Sequence, residues 1–395
     1  MLCVTQPAWA RSWCARPLTA HEWGVQVFDS TGAPKPGNKL PAYFHHSASS
    51  TAAKTSRVAD LPPDSGIRDL PVLHFYAGEY DDNIPVGVSV GFSAGEASAW
   101  FPQVDVRRTA AVANSRAATA QRNKLLELRT RLSPLSLATP RVAVPDDTTK
   151  QLQWNQLLLT RKPAPSATAA TTEVPWISSA RAISEALWVN RDTQTERFAF
   201  YEATTTERPT VEVQRGPTWA AGNRHYILRN VGKFAVHDVY FVLREGDALF
   251  VFNAPAIPAN ASAGFVVEQH RVSPANIAAA TVDALRKGLV ITSPASPTGK
   301  QSAASTTEPR DCIMMRDPAV PVESSTGFAL FPREADLFLS EWHSAMFDGQ
   351  GTTIVYREDE RYLEQVMPLS IFTDMYHFVE LHRASFAIWQ NVKLP

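Results

Sequence analysis

Short runs in which apolar residues alternate with small or polar ones are the feature that most restricts how this chain can fold. In the clearest run, apolar and small residues take alternate places over Val86-Gly87-Val88-Ser89-Val90-Gly91-Phe92. A period of two residues is typical of a β-strand with one buried face and does not fit an amphipathic helix. The run therefore predicts a strand. The tight Ala94-Gly95-Glu96 turn after it predicts a hairpin with a second strand over 97–101.

Further strand signals follow along the chain. A second hairpin is predicted where two apolar runs, 239–243 and 248–252, flank the turn Arg244-Glu245-Gly246-Asp247. The 29 prolines and the aromatic fraction of 10% favour strands and structured loops over helices. A helix is still predicted from Pro332 to about Phe347, where apolar residues recur at helical spacing. We therefore predict a mainly β protein, an antiparallel β-sandwich-type body of one or two packed sandwiches with two or three helices.

The sequence also suggests a division into regions. Residues 1–10 are a candidate signal-peptide remnant, and residues 11–160 are a β-rich region with a basic helical insertion over 106–132. Residues 176–290 are predicted to form a central β-sandwich region, and residues 310–395 a C-terminal helix plus strands that pack on this central region. A basic helix such as 106–132 is suited to an acidic surface, and a solvated face is the alternative interpretation.

Composition and missing motifs narrow the classes of function. The 38 basic and 39 acidic residues nearly cancel, so charge gives no reason to expect a nucleic-acid partner. No run reaches the roughly 18 apolar residues of a transmembrane segment. The chain also lacks a Gly-x-Ser-x-Gly elbow, a phosphate-binding glycine loop and a dinucleotide fingerprint. These absences favour a structural or binding protein over the enzyme classes that have local signatures.

The N-terminus and the cysteines bear on the compartment. Ala8-Trp9-Ala10 fits the small-x-small rule for signal-peptide cleavage, although the run before it is too short for a complete signal sequence. An ordinary N-terminal tail is the alternative. If cleavage follows Ala10, Cys14 and Cys312 remain, and an even pair in an oxidising compartment suggests a disulfide. Two unrelated buried thiols are the other interpretation.

Candidate chemistry centres on the segment His21-Glu22-Trp23 and on His74. His21 and Glu22 are neighbours in a predicted strand, so they point to opposite faces and cannot both serve one site without a bulge. A strand start in which Trp23 anchors the core is the structural alternative. His74 lies within an apolar strand, where a core histidine is commoner than a ligand. His21, His45 and His46 are candidate ligands of a divalent metal, although their spacing matches no metal motif.

Several segments together resemble a family of exported bacterial proteins that share a His-Glu-Trp-Gly-Thr-Phe motif near the mature N-terminus. Here the motif stands as His21-Glu22-Trp23-Gly24-Val25-Gln26, without its Thr-Phe half. Other similar segments are Leu70-Pro71-Val72-Leu73-His74-Phe75-Tyr76, Arg197-Phe198-Ala199-Phe200-Tyr201 and Gly351-Thr352-Thr353-Ile354-Val355-Tyr356. The resemblance implies a periplasmic or extracellular protein with one shared architecture. The family has no established activity, so the resemblance transfers no catalytic residue.

These observations predict an extracytoplasmic structural or binding protein, an accessory subunit of a larger envelope or extracellular assembly with protein partners. Two alternatives stay open. One is a metal-dependent hydrolase or oxidoreductase that uses a His/Glu cluster around His21 and Glu22. The other is a carbohydrate-binding protein that presents surface tryptophans. The metal-dependent enzyme is favoured over the other two functions if His21 and Glu22 face a pocket that contains other histidine or carboxylate groups.

Overall fold

The computed structural model describes residues 16–35, 40–41, 43–46, 66–93, 95–105, 150–164, 174–217, 223–272, 330–374 and 376–395. Most of these residues form antiparallel strands, and three α-helices accompany them. The predicted fold class, a mainly β body of sandwich type with two or three helices, is confirmed. The predicted basic helix over 106–132 lies outside the described residues, as do Cys14 and Cys312.

The strands follow one another along the chain in this order. The first nine are β1 (Arg16–Phe28), β2 (His45–His46), β3 (Gly66–Ala77), β4 (Ile84–Gly91), β5 (Ala97–Phe101), β6 (Gln151–Thr160), β7 (Trp188–Arg191), β8 (Gln194–Glu196) and β9 (Ala199–Thr205). The others are β10 (Val211–Arg215), β11 (His225–Asn230), β12 (Val236–Glu245), β13 (Ala248–Ile257), β14 (Ser262–Val266), β15 (Arg271–Val272), β16 (Gly351–Glu358), β17 (Leu369–Thr373) and β18 (His377–Trp389). The helices are α1 (Pro175–Arg181), α2 (Pro332–His343) and α3 (Glu360–Val366).

A ten-stranded sheet in the order β15-β13-β12-β16-β18-β1-β3-β9-β5-β2 runs through the molecule. Strands from all three predicted regions, 11–160, 176–290 and 310–395, enter this one sheet. Its centre is the pair β1 and β18, which run parallel and in register from Arg16 opposite His377 to Phe28 opposite Trp389. A five-stranded sheet, β17-β4-β6-β7-β8, and a three-stranded sheet, β10-β11-β14, complete the fold.

The two smaller sheets cover the same face of the large one. Leu18 and Ala20 of β1 pack in the core under the five-stranded sheet, while Phe28 packs in the core under the three-stranded sheet. Residues of equal parity on a strand share a face, so both cores lie on one side. Trp23 and Val25 face the other side, which α1 and α2 cover. The molecule is therefore two sandwiches that share a central sheet backed by helices.

Of the two predicted hairpins, one is confirmed and one is wrong. β12 and β13 form the predicted hairpin around Gly246, whose φ of 56° is the left-handed conformation that glycine adopts at little cost. β4 and β5, in contrast, belong to different sheets. Val90 of β4 and Ala97 of β5 are buried in the same core. The alternating sequence pattern is therefore compatible with two strands that stack face to face in different sheets, and equally with two strands that pair edge to edge in one sheet.

Helix α2 forms where the sequence predicted it. Pro332 occupies its first turn, and the Glu334 side chain accepts a hydrogen bond from the Phe331 backbone N–H at 3.1 Å. Helices α1 and α3 were not predicted, because seven residues are too few to show a helical period in the sequence. In the described part of the chain, no helix is both long and apolar enough to span a membrane.

Candidate functional site

Strand β1 separates the two residues of the His-Glu pair. His21 lies opposite His74 of β3 on one side and opposite His382 of β18 on the other. Glu22, the next residue, lies opposite Arg383 of β18. Because successive side chains of a strand point to opposite faces, His21 faces α2 and Glu22 faces the five-stranded sheet. The two side chains point to opposite faces, and each belongs to a cluster of its own.

The helix-side cluster consists of His21, His74 and Glu334. His21 Nδ1 lies 2.5 Å from Glu334 Oε2, and His74 Nδ1 lies 3.0 Å from Glu334 Oε1. All three side chains have an exposed fraction of 0%. Since Glu334 belongs to the first turn of α2, the cluster joins this helix to two neighbouring strands of the central sheet.

Electrostatics keep the Glu334 carboxyl ionised. Burial alone would raise its pKa, but the charges of His21 and His74 and the hydrogen bond with His21 outweigh burial and hold the pKa well below its usual range. Burial and then the nearby charge of Glu334 raise the pKa of the Tyr76 hydroxyl well above its usual range. The cluster is thus a buried carboxylate held by imidazoles beside a neutral phenol. Removing its donors would leave a charge in the core.

Aromatic rings enclose this cluster. The Phe331 ring lies 4.6 Å from the His21 ring, and the Trp23 ring stacks on His74 at 6.3 Å. The His382 ring, half-buried, lies 5.3 Å from His21 on its other side. His21 Nε2, both ring nitrogens of His74 and Glu334 Oε1 have no hydrogen-bond partner, so His74 and Glu334 interact as an ion pair without a hydrogen bond. In the described part of the chain, the cluster is therefore fully buried and surrounded by packed rings.

The sandwich-side cluster consists of Glu22, Tyr201 and Arg383. The Tyr201 hydroxyl and two nitrogens of the Arg383 guanidinium donate to the Glu22 carboxylate. Arg383 also donates to Glu364 of α3 at 2.7 Å and to the carbonyl of Met367 at 2.8 Å. The exposed fraction is 3% for Glu22 and Arg383 and 0% for Tyr201. The cluster ties β1, β9 and β18 to the end of α3.

The charges of this second cluster are fixed. Burial would lower the pKa of Arg383, but the charge of Glu22 and its hydrogen bonds outweigh burial and hold the pKa above its usual range. Burial and the charge of Glu22 raise the pKa of Tyr201 well above its usual range. The phenol therefore stays a hydrogen-bond donor, and the guanidinium stays a cation.

The predicted metal ligands are not brought together. His45 and His46 form β2 at the edge of the central sheet, and β3, β9 and β5 separate them from β1. At about 4.8 Å between strands, this places them about 19 Å from His21. His45 Nε2 instead lies 2.7 Å from the Gln194 side-chain nitrogen. Among the residues that the structure describes, no three His, Cys, Asp or Glu side chains form a group able to hold a metal.

The sequence reasoning missed the partners in both clusters, Glu334, Tyr201 and Arg383. A signal for Glu334 was present: it lies at helical spacing, four and eight residues before Phe338 and Trp342, which are buried on the same helix. A carboxylate on an apolar stripe predicts burial with a partner. Arg383 gave a similar signal, because it directly precedes the buried end of β18.

Comparisons with known proteins add little. No protein-family model and no curated protein matches the chain. The yeast delta-COP-I mu-homology domain, complexed with a Dsl1 WxWxV peptide, has a TM-score of 0.27 and 10% identity over 95% of both chains. The Fcho1 mu homology domain of Danio rerio, with bound Eps15 peptide, has a TM-score of 0.26 and 6% identity over 96% of this chain and 97% of its own. Similarities this low carry no argument about what this chain does.

Proposed function

We propose that this chain is an extracytoplasmic structural or binding protein without catalysis, an accessory subunit of a larger envelope or extracellular assembly. One observation carries the proposal. The groups around β1 with acid–base chemistry, His21, Glu22, His74 and Glu334, have exposed fractions of 0–3% and bind other elements of the fold. Catalytic groups have to reach a substrate in a cleft, and these do not.

The two clusters have a structural use. Glu334 is 313 residues from His21 in sequence, and Arg383 is 361 residues from Glu22. A one-residue slip of β1 would turn His21 toward the five-stranded sheet and Glu22 toward α2, leaving buried charges unpaired on both faces. The clusters therefore fix the register of β1 against its neighbours, as expected of a rigid body that presents surfaces to partners.

A stability measurement distinguishes this role from an active site. Glu334→Gln keeps the shape but removes the charge, and we expect it to lower the free energy of unfolding by about 2–3 kcal/mol in urea denaturation. Glu341→Gln is the matched control, half-buried and about 10 Å further along the same helix. It should change the value by less than about 0.5 kcal/mol. Replacing an active-site residue often leaves stability unchanged or raises it, and that outcome for Glu334 would contradict the proposal.

We propose a periplasmic or extracellular location on two grounds. One is the segment Ala8-Trp9-Ala10, and the other is the resemblance of residues 21–26 to the motif of exported proteins. The test is to produce the complete encoded protein in bacteria, fractionate the cells and determine the N-terminus of the recovered chain. We expect recovery from the periplasm or the medium with Arg11 as the first residue. Recovery from the cytoplasm with the N-terminal segment uncleaved would reject export.

A metal-dependent hydrolase or oxidoreductase remains the second candidate because of one observation. His74, His21 and His382 stand in one row across three neighbouring strands and Glu334 contacts the first two, although within the described ranges these side chains are not arranged as a metal-binding group. Elemental analysis of the purified protein decides between the two candidates. Stoichiometric zinc, copper or iron that disappears in His21→Asn would favour the enzyme, and its absence from both proteins would favour the structural role.

Carbohydrate binding would need exposed tryptophan rings, and none is found in the described ranges. Each tryptophan there is buried or half-buried, and Trp23, Trp154, Trp176 and Trp342 have exposed fractions of 5% or less. Sugar-binding platforms need an exposed ring face. A glycan array probed with the purified chain tests the idea directly, and specific binding would reinstate it.

A further inference from the structure

Strand β17 forms one end of the five-stranded sheet. It pairs with β4 on one side, from Leu369 opposite Val90 to Thr373 opposite Val86. No strand in the described ranges pairs with its other side. Exposed edges are usually guarded by charged residues, proline or a bulge, and β17, with the sequence Leu-Ser-Ile-Phe-Thr, has no charge, no proline and no register shift against β4. Within the described ranges, β17 is therefore an edge strand without the usual protection against further pairing.

The register with β4 shows which backbone groups are available. The Gly91 N–H donates to the Pro368 carbonyl at 2.9 Å, so this opposed pair is a hydrogen-bonded one. In an antiparallel ladder the backbone groups of alternate residues point to opposite sides. The groups of Ser370 and Phe372 therefore point toward β4. Those of Leu369, Ile371 and Thr373 point outward, and each of these three residues presents one donor and one acceptor.

Exposed apolar side chains lie on β17 and on other segments of the same sheet and its loops. Phe372 of β17 is 38% exposed, Leu158 of β6 is 40%, Tyr376 is 44%, and Tyr80 in the loop before β4 is 90%. They make up four of the five large hydrophobic side chains that are exposed in the described part of the chain. Large apolar side chains that are exposed on a sheet with such an edge strand favour an interaction surface there.

We propose that β17 pairs antiparallel with β17 of a second copy of this chain, around a two-fold axis at Ile371. In this register Ile371 faces Ile371 of the second copy, and Leu369 faces Thr373. Every outward backbone group is then used, giving about six hydrogen bonds between the copies. The two five-stranded sheets join into one continuous sheet. This inference does not depend on the proposed function.

A second copy is favoured because the edge complements itself. A two-fold interface has to present the same patch on both sides, with residue i meeting residue j and j meeting i. In the proposed register, the outward backbone groups of one β17 lie opposite the outward backbone groups of the other β17. The Ser370 side chain lies opposite Phe372 of the second copy. No like charges are opposed along the strand, and the flanking Asp374 meets Pro368.

The register gives a direct test by sedimentation velocity of the full chain over a range of concentrations. In the variant S370K/F372K, lysine faces lysine across the axis at two places. In the matched variant S370K/F372E, lysine faces glutamate at the same places. We expect the unmodified chain to be a dimer and S370K/F372K to bind its copy at least tenfold more weakly. S370K/F372E should remain a dimer, and mixing S370K/F372K with S370E/F372E should restore one.

Both positions tolerate charge, because Ser370 is half-exposed and Phe372 is exposed on the outer face of the sheet. Thermal unfolding of each variant confirms that it is folded before its mass is measured. An unmodified chain that is monomeric at all concentrations would overturn the proposal. Equal dimerisation of S370K/F372K and S370K/F372E would do so as well, because it would place the contact elsewhere.

Discussion

The helix-side and sandwich-side clusters use adjacent residues of β1 and are equally buried, yet they differ in chemistry. His21 belongs to the first, where imidazoles hold a carboxylate, and Glu22 belongs to the second, where a guanidinium and a phenol hold one. Both clusters contain a carboxylate, but imidazole changes protonation in the pH range that proteins tolerate, whereas guanidinium does not. Equal burial therefore does not imply an equal response to pH.

The two clusters also hold different kinds of element together. The helix-side cluster joins the first turn of α2 to the central sheet. The sandwich-side cluster joins strands within that sheet and reaches α3 through Glu364. A helix can move away as a unit, while a central strand cannot leave without disrupting two ladders. Damage to the sandwich-side cluster should therefore be the more severe, and the predictions below test this comparison.

The largest effect is expected for Arg383→Met. The substitution leaves the Glu22 carboxylate buried with the Tyr201 hydroxyl, and breaking a buried pair in this way costs about 3–5 kcal/mol of the free energy of unfolding. Urea denaturation measures it. The double variant Glu22→Gln with Arg383→Met should be more stable than Arg383→Met alone, because no unpaired charge remains. A double variant that is less stable than the single one would show that the charge is not the cause.

A smaller effect is expected when pH is lowered. In the folded protein the pKa of Glu334 lies well below its ordinary value of 4.5. The unfolded chain therefore binds this proton more readily, so the stabilisation is complete above about pH 4.5 and is lost as pH falls toward the folded pKa. The difference in free energy of unfolding between the unmodified chain and Glu334→Gln should shrink from pH 5 to pH 3. A difference that grows over this range would contradict the assigned charge.

The smallest effects compare one phenol from each cluster. Tyr201→Phe removes a hydroxyl that donates to Glu22, and we expect a loss of about 1–2 kcal/mol. Tyr76→Phe removes a buried hydroxyl that has no hydrogen-bond partner, so its effect should be neutral or slightly stabilising. Thermal unfolding of both variants at the same pH measures the contrast. Equal losses would mean that packing, and not the bond to Glu22, explains the Tyr201 result.

Local sequence patterns predicted the β-rich fold class and the site residues on β1, but not the partners of those residues. The period-two alternation predicted the strands around Val86–Val90 and the opposite orientation of His21 and Glu22, because side-chain direction depends on neighbouring residues. The predicted hairpin between β4 and β5 failed because alternation identifies the buried face of a strand but not the strand beside it. Pairing within one sheet and stacking between two sheets bury the same residues.

That β1 carries a histidine and a carboxylate on opposite faces follows from residue order alone, because successive side chains of a strand alternate in direction. The partners of these two side chains depend on long-range packing. Glu334 and Arg383 come from the far end of the chain, and the parallel register of β1 with β18 places His382 and Arg383 beside His21 and Glu22. That register depends on the packing of the whole core, and no local sequence pattern contains it.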